Sequence, residues 1–328
     1  MINIKILLTG ASGRIGRHLV DALLKDGEDV RVLIKGKMIE FENVETFYGD
    51  LLDIESLKKA VNGVDVIYHL AAITDYLAPK DLMWKVNVLG TRNLLEVSKG
   101  KKIIYLSTTA VMGKKLKEMP ANENTPCHPS NYYGKTKLEA EKLVKENGGI
   151  IIRSADVIGP DSFVNDVVIS KLEEGKLPFI GDGKNFIHYI HINDLIQALL
   201  LAKKIGKPGE VYIIAGKDVR TQKDCWDLIC KYLNVPPPTK SVSASLAMIQ
   251  AYSKLLKFKI NKRQPSLIPE YIEKITANRT FDISKARKEL GFDPKISYEE
   301  AAKEMVEEYK KSKEKQEEIT EKQSEEQS

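Results

Sequence analysis

The sequence predicts an α/β protein built on a parallel β-sheet that helices cover on both faces. In the first half of the 328-residue chain, short and almost continuously apolar runs alternate with longer helical patterns. This alternation is typical of βαβ units, whose strands are buried on both faces of the sheet. A hydrophobic content of 42% is sufficient for a sizeable core. No internal repeat is visible.

Six strands and three long helices can be placed in order along residues 1–160. The runs IKILLTG, DVRVLI, VETFYG, DVIYHLAA, KIIYLSTT and GIIIRSA predict the strands. RIGRHLVDALLKDG predicts an amphipathic helix that ends at Gly27. DLMWKVNVLGTRNLLEVSK and NYYGKTKLEAEKLVKEN predict the two others. We expect residues 1–160 to form the regular core of the fold.

After residue 160 the pattern loosens and predicts a smaller C-terminal lobe over residues 161–309. PFIGDG and EVYIIAG predict late strands that return to the core, with the helix INDLIQALLLAKK between them. A further helix is predicted at SASLAMIQAYSKLLKF. Residues 310–328 are almost wholly Lys, Glu, Gln, Ser and Thr, which predicts a polar tail that is a frayed helix or disordered.

Composition excludes several classes of function. Charged residues make up 30% of the chain but the net charge is only +5, and acidic residues interrupt most basic runs, so we expect no nucleic-acid partner. Cys127, Cys225 and Cys230 lack metal-ligand spacing, which predicts no metal and a reduced setting. No run approaches the ~20 apolar residues of a membrane span. A cytoplasmic location is therefore expected. The basic region 254–263 could touch acidic membrane surfaces, although a helix covering the substrate is favoured.

A glycine-rich segment, TGASGRIG, follows the first predicted strand. It places Gly10, Gly13 and Gly16 between that strand and the first helix. Glycines there allow a tight turn and close backbone approach, and the helix start directs free N–H groups at a pyrophosphate. The fold is therefore predicted to be a Rossmann-type doubly wound sheet that binds a dinucleotide.

Two tyrosines and two lysines stand together in SNYYGKTKLEAEKLV. Residues four apart share a helix face, so Tyr133 can meet Lys137, while Tyr132 can meet Lys135 three residues on. Helical geometry alone leaves both pairs open.

The chain resembles the extended short-chain dehydrogenase/reductase family over nearly its whole length, and its later segments resemble the 3β-hydroxysteroid dehydrogenase and dihydroflavonol reductase branch. TGASGRIG, YGDLLD, HLAA, NVLGTRNLLE, LSTTAVMG, YYGKTKLEAE and IIRSADVIGP follow in the family's order. FIHYIHINDL and FDISKARKELGF resemble its later landmarks.

The resemblance to this family also implies which residues form the active site. The family's Y-G-x-[ST]-K pattern selects Tyr133 and Lys137, and implies that Thr108 and Asn87 complete the catalytic set. A cation on the same helical face is expected to lower the pKa of the Tyr133 phenol. His69 is expected to be a satisfied core histidine, and Asp194 a helix N-cap. The implied cofactor-binding residues are Gly10, Ser12, Gly13, Arg14, Ile15, Gly16, Lys35, Asp50, Leu51, Leu70, Ala71, Ala72, Tyr133 and Lys137.

The resemblance implies an NAD(P)-dependent oxidoreductase that transfers hydride between nicotinamide and a hydroxyl or keto group of a small, apolar substrate. The alternatives are a nucleotide-sugar 4-epimerase or dehydratase with the same Thr-Tyr-Lys triad, and a non-catalytic NADPH-binding regulator. NADP is expected over NAD because Ile34 replaces the usual acidic residue after the second strand, with Lys35, Lys37 and Arg14 near the 2′-phosphate.

Two departures from the epimerase pattern argue against a nucleotide sugar. Ile187 stands where those enzymes usually carry a phosphate-binding arginine, and Asp156 stands where an asparagine is common. Arg279, Lys184 or Arg153 could supply the missing cation. The resemblance also implies a homodimer formed through helices at 80–99 and 130–147.

Overall fold

The computed structural model describes residues 4–36, 41–114, 116–261, 265 and 267–325. Its strands lie close to the predicted positions. They are β1 Lys5–Thr9, β2 Asp29–Ile34, β3 Glu45–Tyr48, β4 Val66–His69, β5 Lys102–Thr108, β6 Ile150–Ser154, β7 Asp156–Ile158, β8 Phe179–Ile180, β9 Phe186–Ile187, β10 Tyr189–His191, β11 Val211–Ile214, β12 Arg220–Thr221 and β13 Ser241–Val242.

The helices alternate with the strands in the first half and dominate the second. They are α1 Arg14–Lys25, α2 Ile54–Val61, α3 Lys80–Trp84, α4 Thr91–Val97, α5 Tyr132–Glu146, α6 Phe163–Glu173, α7 Ile192–Ile205, α8 Gln222–Leu233, α9 Ala244–Asn261, α10 Pro269–Thr276, α11 Ser284–Leu290 and α12 Tyr298–Glu325. A π-helical turn, Lys85–Gly90, joins α3 to α4, so the long helix predicted there is continuous but locally widened.

Seven parallel strands form the central sheet in the order β11-β6-β5-β4-β1-β2-β3. The chain runs outwards from β1 to β2 and β3, then returns to place β4 on the other side of β1. The strand order therefore reverses between β1 and β4, and in open α/β sheets ligands bind at the carboxyl ends of the strands at such a point. The predicted doubly wound α/β fold is confirmed.

Alternate residues of each strand point to opposite faces of the sheet. On β1, Ile6 and Leu8 enter one core cluster, which α1 and α7 cover. Leu7 enters the other, which α2, α4 and α5 cover. Both faces are thus apolar, which is why the strands read as continuous hydrophobic runs.

The C-terminal part of the chain packs into both the core and a separate lobe. Phe281 and Leu290 belong to the same apolar cluster as β1, while α6, α8 and α12 enclose a second cluster around Trp226 and Met305. The domain boundary predicted at residue 160 stays a prediction, because residues from before and after it pack in the same core cluster. Of the two predicted states of the tail, the structure shows a helix: α12 continues through residues 310–325, and residues 311–319 are exposed.

Candidate active site and cofactor cleft

The three glycine positions after β1 differ in how much room a side chain would have. Gly10 has a φ of +80°, and a Cβ there would lie 2.6 Å from the Ala71 backbone nitrogen. At Gly16 a Cβ would lie 2.2 Å from the Gly10 oxygen. A Cβ at Gly13 would meet its nearest atom at an ordinary 3.4 Å. The protein's own packing therefore requires Gly10 and Gly16 but leaves Gly13 to be explained by a ligand.

The N-terminus of α1 has the features of a binding site for an anionic ligand. Gly13 is the N-cap and provides no side-chain hydrogen bond, and the first turn carries no acidic residue. The free N–H groups and the positive end of the helix dipole are therefore available to an anion. Ser12 is exposed and Ile15 packs on the core beneath the loop. A dinucleotide pyrophosphate fits this arrangement.

The Arg14 side chain is directed away from the adenosine side of the cleft. Its Nε donates to the Pro160 oxygen at 2.7 Å and its Nη1 to the Val157 oxygen at 3.2 Å. Val157 lies in β7 and Pro160 follows it, whereas Lys35 follows β2 on the other side of β1 from β6. Backbone carbonyls hold the Arg14 guanidinium away from Lys35. The expectation that Arg14 reaches a 2′-phosphate stays a prediction. The Nη2 of Arg14 is buried with no hydrogen-bond partner among the described residues.

The residues that are expected to lie near the cofactor's adenosine follow β2 and β3. Ile34 is buried, and Lys35 Nζ pairs with Asp50 Oδ2 at 2.7 Å. Burial opposes ionisation of Asp50, but hydrogen bonds from Lys35 and the Leu52 backbone outweigh it and lower the pKa of the carboxyl. Leu51 is buried against Gly90. Lys37 lies outside the described residues.

The loop after β4 forms the opposite wall. The Leu70 backbone nitrogen donates to the Thr9 oxygen, and the Ala71 nitrogen to Thr9 Oγ1 at 3.3 Å. Leu70, Ala71 and Ala72 therefore lie beside Gly10 at the switch point of the sheet. This brings the predicted loop residues of β1 and β4 together.

Burial on α5 distinguishes the two candidate tyrosine–lysine pairs. Lys137 is only 2% exposed and lies against β5, while Lys135 is exposed. Gly134 allows this packing, because a Cβ there would lie 2.8 Å from the Ala110 oxygen in the turn after β5. Tyr132 instead lies beneath Lys80, whose Nζ is 5.4 Å from the ring centroid.

The Tyr133 ring is half-buried among aromatic residues. It meets the edge of Tyr76 with ring centroids 6.0 Å apart, and Tyr76 meets Tyr271 of α10 at the same distance. Burial raises the pKa of the Tyr133 phenol, and the charges of Tyr76 and Asp156 raise it further. The phenol pKa is therefore raised, not lowered as expected from its helical neighbour.

The position of Lys137 explains that difference. Its Nζ donates to the Leu106 oxygen at 2.7 Å and lies 4.0 Å above the centroid of the Tyr105 ring. Burial lowers the pKa of Lys137 to about 7, although Glu141 acts in the opposite direction. The amine is therefore directed at β5 and carries a weakened positive charge.

Three hydroxyls follow one another at the end of β5. Thr108 Oγ1 accepts a hydrogen bond from the Ala110 nitrogen at 3.1 Å, which leaves its proton available to a substrate oxygen. Thr109 Oγ1 accepts from Arg279 Nη2 at 2.9 Å. Ser107 is buried, and its Oγ has no hydrogen-bond partner among the described residues. Thr108 and Thr109 thus have separate environments.

Asn87 connects the π-helical turn to the catalytic helix. Its Oδ1 accepts from the Ile73 nitrogen at 2.7 Å, and its Nδ2 donates to the Ile73 oxygen at 3.0 Å. The same Nδ2 lies 3.0 Å from Thr136 Oγ1, which donates to the Tyr133 oxygen at 2.8 Å. Asn87 therefore fixes both the loop after β4 and the first turn of α5.

A charged cluster around Asp156 lies near Tyr133. Asp156 pairs with Lys274 at 3.0 Å, and Arg279 lines the same small cavity with Ile187. Burial would raise the pKa of Asp156, but the charges of Lys274 and Arg279 lower it overall. The negative charge of Asp156 is therefore compensated by neighbouring cations.

The other two candidate cations do not reach this cavity's polar groups. Arg153 is buried in a bidentate pair with Glu141, with an Nη2–Oε2 distance of 2.7 Å. Lys184 is exposed. Arg279 alone of the three candidate cations lines the cavity.

His69, His191 and Asp194 make hydrogen bonds that stabilise the fold. His69 is buried between Thr9 and Thr91 at 2.7 and 2.8 Å, and burial lowers its pKa to about 3. The prediction of a satisfied core histidine is confirmed. His191 caps α7, so the prediction that Asp194 is the N-cap is wrong: its carboxylate accepts from the Lys295 and Ile296 nitrogens.

Sequence reasoning missed Tyr76, Tyr271 and Lys274. Tyr76 follows the carboxyl end of β4, a position at which parallel sheets place ligand contacts, so its location was a usable signal. Tyr271 and Lys274 lie on α10, far along the chain, and only tertiary folding brings them to Tyr76 and Asp156. Among the described residues, no group of three or more His, Cys, Asp or Glu side chains could hold a metal.

A parallel sheet with a glycine loop at its switch point and a Tyr-x-x-x-Lys helix beside it defines a dinucleotide-binding enzyme of the Rossmann type. The family model of the NAD dependent epimerase/dehydratase family matches residues 6–215. The chain belongs to this family.

Relatives of the chain include both oxidoreductases and epimerases. It is 28% identical to the 3beta-hydroxysteroid-dehydrogenase/decarboxylase isoform 1 of Arabidopsis thaliana, over 92% of this chain and 79% of that protein. It is also 28% identical to the N-acetyl-alpha-D-glucosaminyl-diphospho-ditrans,octacis-undecaprenol 4-epimerase of Escherichia coli O157:H7, over 87% and 89%. The UDP-glucuronic acid 4-epimerase of Bacillus cereus, solved with NAD, superposes with a TM-score of 0.75 at 25% identity, over 94% and 99%.

These similarities place the protein among the enzymes of the extended short-chain dehydrogenase/reductase type, which bind a nicotinamide dinucleotide and a small-molecule substrate. No helix among the described residues is long and apolar enough to cross a membrane.

Proposed function

We propose that the protein is an NADP(H)-preferring oxidoreductase that interconverts a hydroxyl and a keto group on a small, apolar substrate. The observation that carries the proposal is the packing of α5 against the end of β5. There the half-buried Tyr133 lies beside the Thr108 turn, and Lys137 lies buried one helical turn further on.

In this proposal each residue has one task. Thr108 donates its hydroxyl proton to the substrate oxygen and holds it. Tyr133 gives a proton to that oxygen during reduction and takes one during oxidation. Lys137 contacts the cofactor's ribose, and Asn87 positions α5. The nicotinamide, when bound, supplies or accepts the hydride. Gly13 and the N-terminus of α1 hold the pyrophosphate.

The apolar substrate is supported by the walls of the site. Tyr76 and Tyr271 present ring faces and edges next to Tyr133. Ile187 lines the adjoining cavity at the position where an epimerase usually carries its phosphate-binding arginine. Aromatic and aliphatic walls with a few convergent polar groups are typical of sites for apolar ligands.

The preference for NADP rests on the end of β2. Ile34 is buried there, so no carboxylate stands at the place that usually holds the 2′-hydroxyl of NAD. Lys35 is 61% exposed at its side chain and can leave Asp50 for a 2′-phosphate. We expect a Lys35→Asp variant to reverse or abolish the preference, and Lys25→Asp at the far end of α1 to leave it unchanged. Equal dissociation constants of the unaltered protein for both cofactors would contradict the proposal.

The test of the reaction compares two neighbouring tyrosines. Purified protein is assayed with a panel of apolar ketones and secondary alcohols, with the nicotinamide absorbance as readout. Tyr133→Phe should lower kcat by about 10²–10⁴-fold while cofactor affinity, measured by calorimetry, is retained. Tyr132→Phe should leave kcat nearly unchanged. Full activity of Tyr133→Phe would refute the mechanism, and cofactor binding without turnover on any substrate would favour a non-catalytic regulator.

A nucleotide-sugar 4-epimerase or dehydratase is the second candidate, and one observation favours it. Lys274 and Arg279 lie beside Asp156 in the substrate cavity and could bind phosphates. The decisive assay is titration with UDP-glucose and UDP-galactose, followed by NMR detection of 4-epimerisation. Micromolar binding with turnover would establish this candidate in place of the first.

We also propose a cytoplasmic homodimer formed through the helices at 80–99 and 130–147. The first of these helices exposes Leu82 and Trp84. The three cysteines are free thiols, in keeping with a reducing compartment. A monomer mass by light scattering would refute the dimer.

A further inference from the structure

Helix α9 buries its small residues and exposes its large apolar ones. Ala247 and Ala251 pack on Ile180 and Ile272, in a cluster shared with α10. The large side chains on the other side face solvent. Their exposed fractions are 49% for Leu246, 66% for Ile249, 59% for Tyr252, 63% for Leu256 and 79% for Ile260.

These five residues form one continuous stripe. Their spacings of three and four residues keep them on one helix face, along a helix of 18 residues. An 18-residue helix is about 27 Å long. A contiguous apolar surface of this kind marks an interaction site, unlike single exposed hydrophobic residues.

The charged residues of the chain segment that carries the stripe have one sign. Between Asp227 and Glu270 the sequence contains no acidic residue but seven lysines or arginines, in a chain with 46 acidic residues in total. With about 100° per residue, Lys257, which is exposed, lies roughly 80° from the centre of the stripe. The apolar face of the helix thus has a lysine at its border.

We propose that α9 binds the surface of an anionic phospholipid bilayer. A helix with an apolar face bordered by lysines lies in the plane of the membrane interface, with the apolar side chains among the acyl chains and the lysines at the headgroups. A second copy of the chain fits the stripe less well. Two α9 helices facing each other would bring lysines together with no carboxylates on either helix to pair with them.

The stripe also does not cover the substrate, because the face of α9 that packs on the protein is the alanine face. Helix α10, on which α9 packs, carries Tyr271 of the substrate site. Bilayer binding would therefore place that site near the lipid surface. The proposal stands on the stripe and its charges, and it does not depend on the proposed reaction.

The test is flotation of the full chain with vesicles of phosphatidylcholine alone or with about 30% phosphatidylglycerol, at low and high salt. We expect binding to the anionic vesicles, weakened by salt. Ile249→Gln/Leu256→Gln and Lys257→Glu should each reduce the bound fraction roughly tenfold. The matched controls Ile205→Gln, at a residue 53% exposed on α7, and Lys311→Glu on α12 should bind as the unaltered protein does.

Each outcome decides the proposal. Binding that needs both the stripe and the anionic lipid supports it. The proposal is overturned if the protein does not float with anionic vesicles, if the stripe variants bind as well as the controls, or if binding is equal on neutral vesicles. Sedimentation velocity supplies the remaining outcome: a dimer that Ile249→Gln/Leu256→Gln dissociates would assign the stripe to a second copy.

Discussion

Asn87 Nδ2 lies 3.0 Å from Thr136 Oγ1 and 3.0 Å from the Ile73 backbone oxygen. One buried amide therefore ties the loop after β4 to the helix that carries Tyr133. The π-helical turn around Asn87 makes this contact from within an otherwise α-helical segment, and such turns are frequent at functional sites.

Replacement of Asn87 by alanine should loosen this connection. The Ile73 N–H and C=O would lose their partners, which costs about 1–3 kcal/mol. We expect urea denaturation to show this loss and kcat to fall, because α5 would be held less firmly. Asn93→Ala, which removes one bond to the Leu51 oxygen, is the matched control and should cost less. Equal losses for the two variants would contradict the positioning role.

Substitution of Gly13 should separate cofactor binding from folding. A Cβ at this position meets the protein at an ordinary 3.4 Å, so Gly13→Val should fold normally while its side chain occupies the phosphate path. Gly10→Val should instead destabilise the protein, because a φ of +80° and a 2.6 Å approach to Ala71 exclude a side chain. Calorimetric titration with NADP and thermal denaturation measure the two effects. Retained cofactor affinity in Gly13→Val would refute the placement of the pyrophosphate.

The ion pair of Glu141 and Arg153 should be costly to break. Both side chains are buried, so Glu141→Ala leaves an uncompensated charge and should lower the free energy of unfolding by about 3–5 kcal/mol. Glu139→Ala, which breaks an exposed pair with Lys142 on the same helix, should cost no more than about 1 kcal/mol. Adding Arg153→Met to Glu141→Ala should recover part of the loss. No recovery would show that cavity formation, not the buried charge, causes the destabilisation.

Lys137 should give the folding free energy a distinctive pH dependence. Its pKa in the folded protein is about 7, whereas an unfolded lysine titrates near ~10.4. Between these values the unfolded chain binds the extra proton, so the stability contributed by this residue increases as the pH rises through that window. The slope is at most about 1.4 kcal/mol per pH unit.

The measurement is urea denaturation from pH 6 to pH 10 for the unaltered protein and for Lys137→Met. The variant should lack the rise in stability. Lys135→Met, at an exposed lysine of the same helix, should keep it. If Lys137→Met and the unaltered protein show the same pH dependence, the buried amine is not the titrating group.

Local signals in the sequence predicted the sheet and the cofactor loop well. The apolar runs around Ile6, Val32 and Ile104 mark strands buried on both faces, and the glycines at 10 and 16 mark a turn that side chains cannot enter. These features depend on backbone conformation and burial within a few residues. The sequence could not predict the direction of Arg14, which is set by carbonyls more than 140 residues further along the chain.

By itself, the sequence determined the class of fold, the position of the phosphate loop and the presence of a Tyr133–Lys137 pair on one helix. Only the tertiary structure decided which lysine is buried, which cations lie beside Asp156 and which face of α9 remains exposed. The physical reason is that charge and burial depend on neighbours from distant segments. The charge of Asp156 is compensated by Lys274 of α10. The pKa of Lys137 is lowered because β5 and the Tyr105 ring exclude water from its amine.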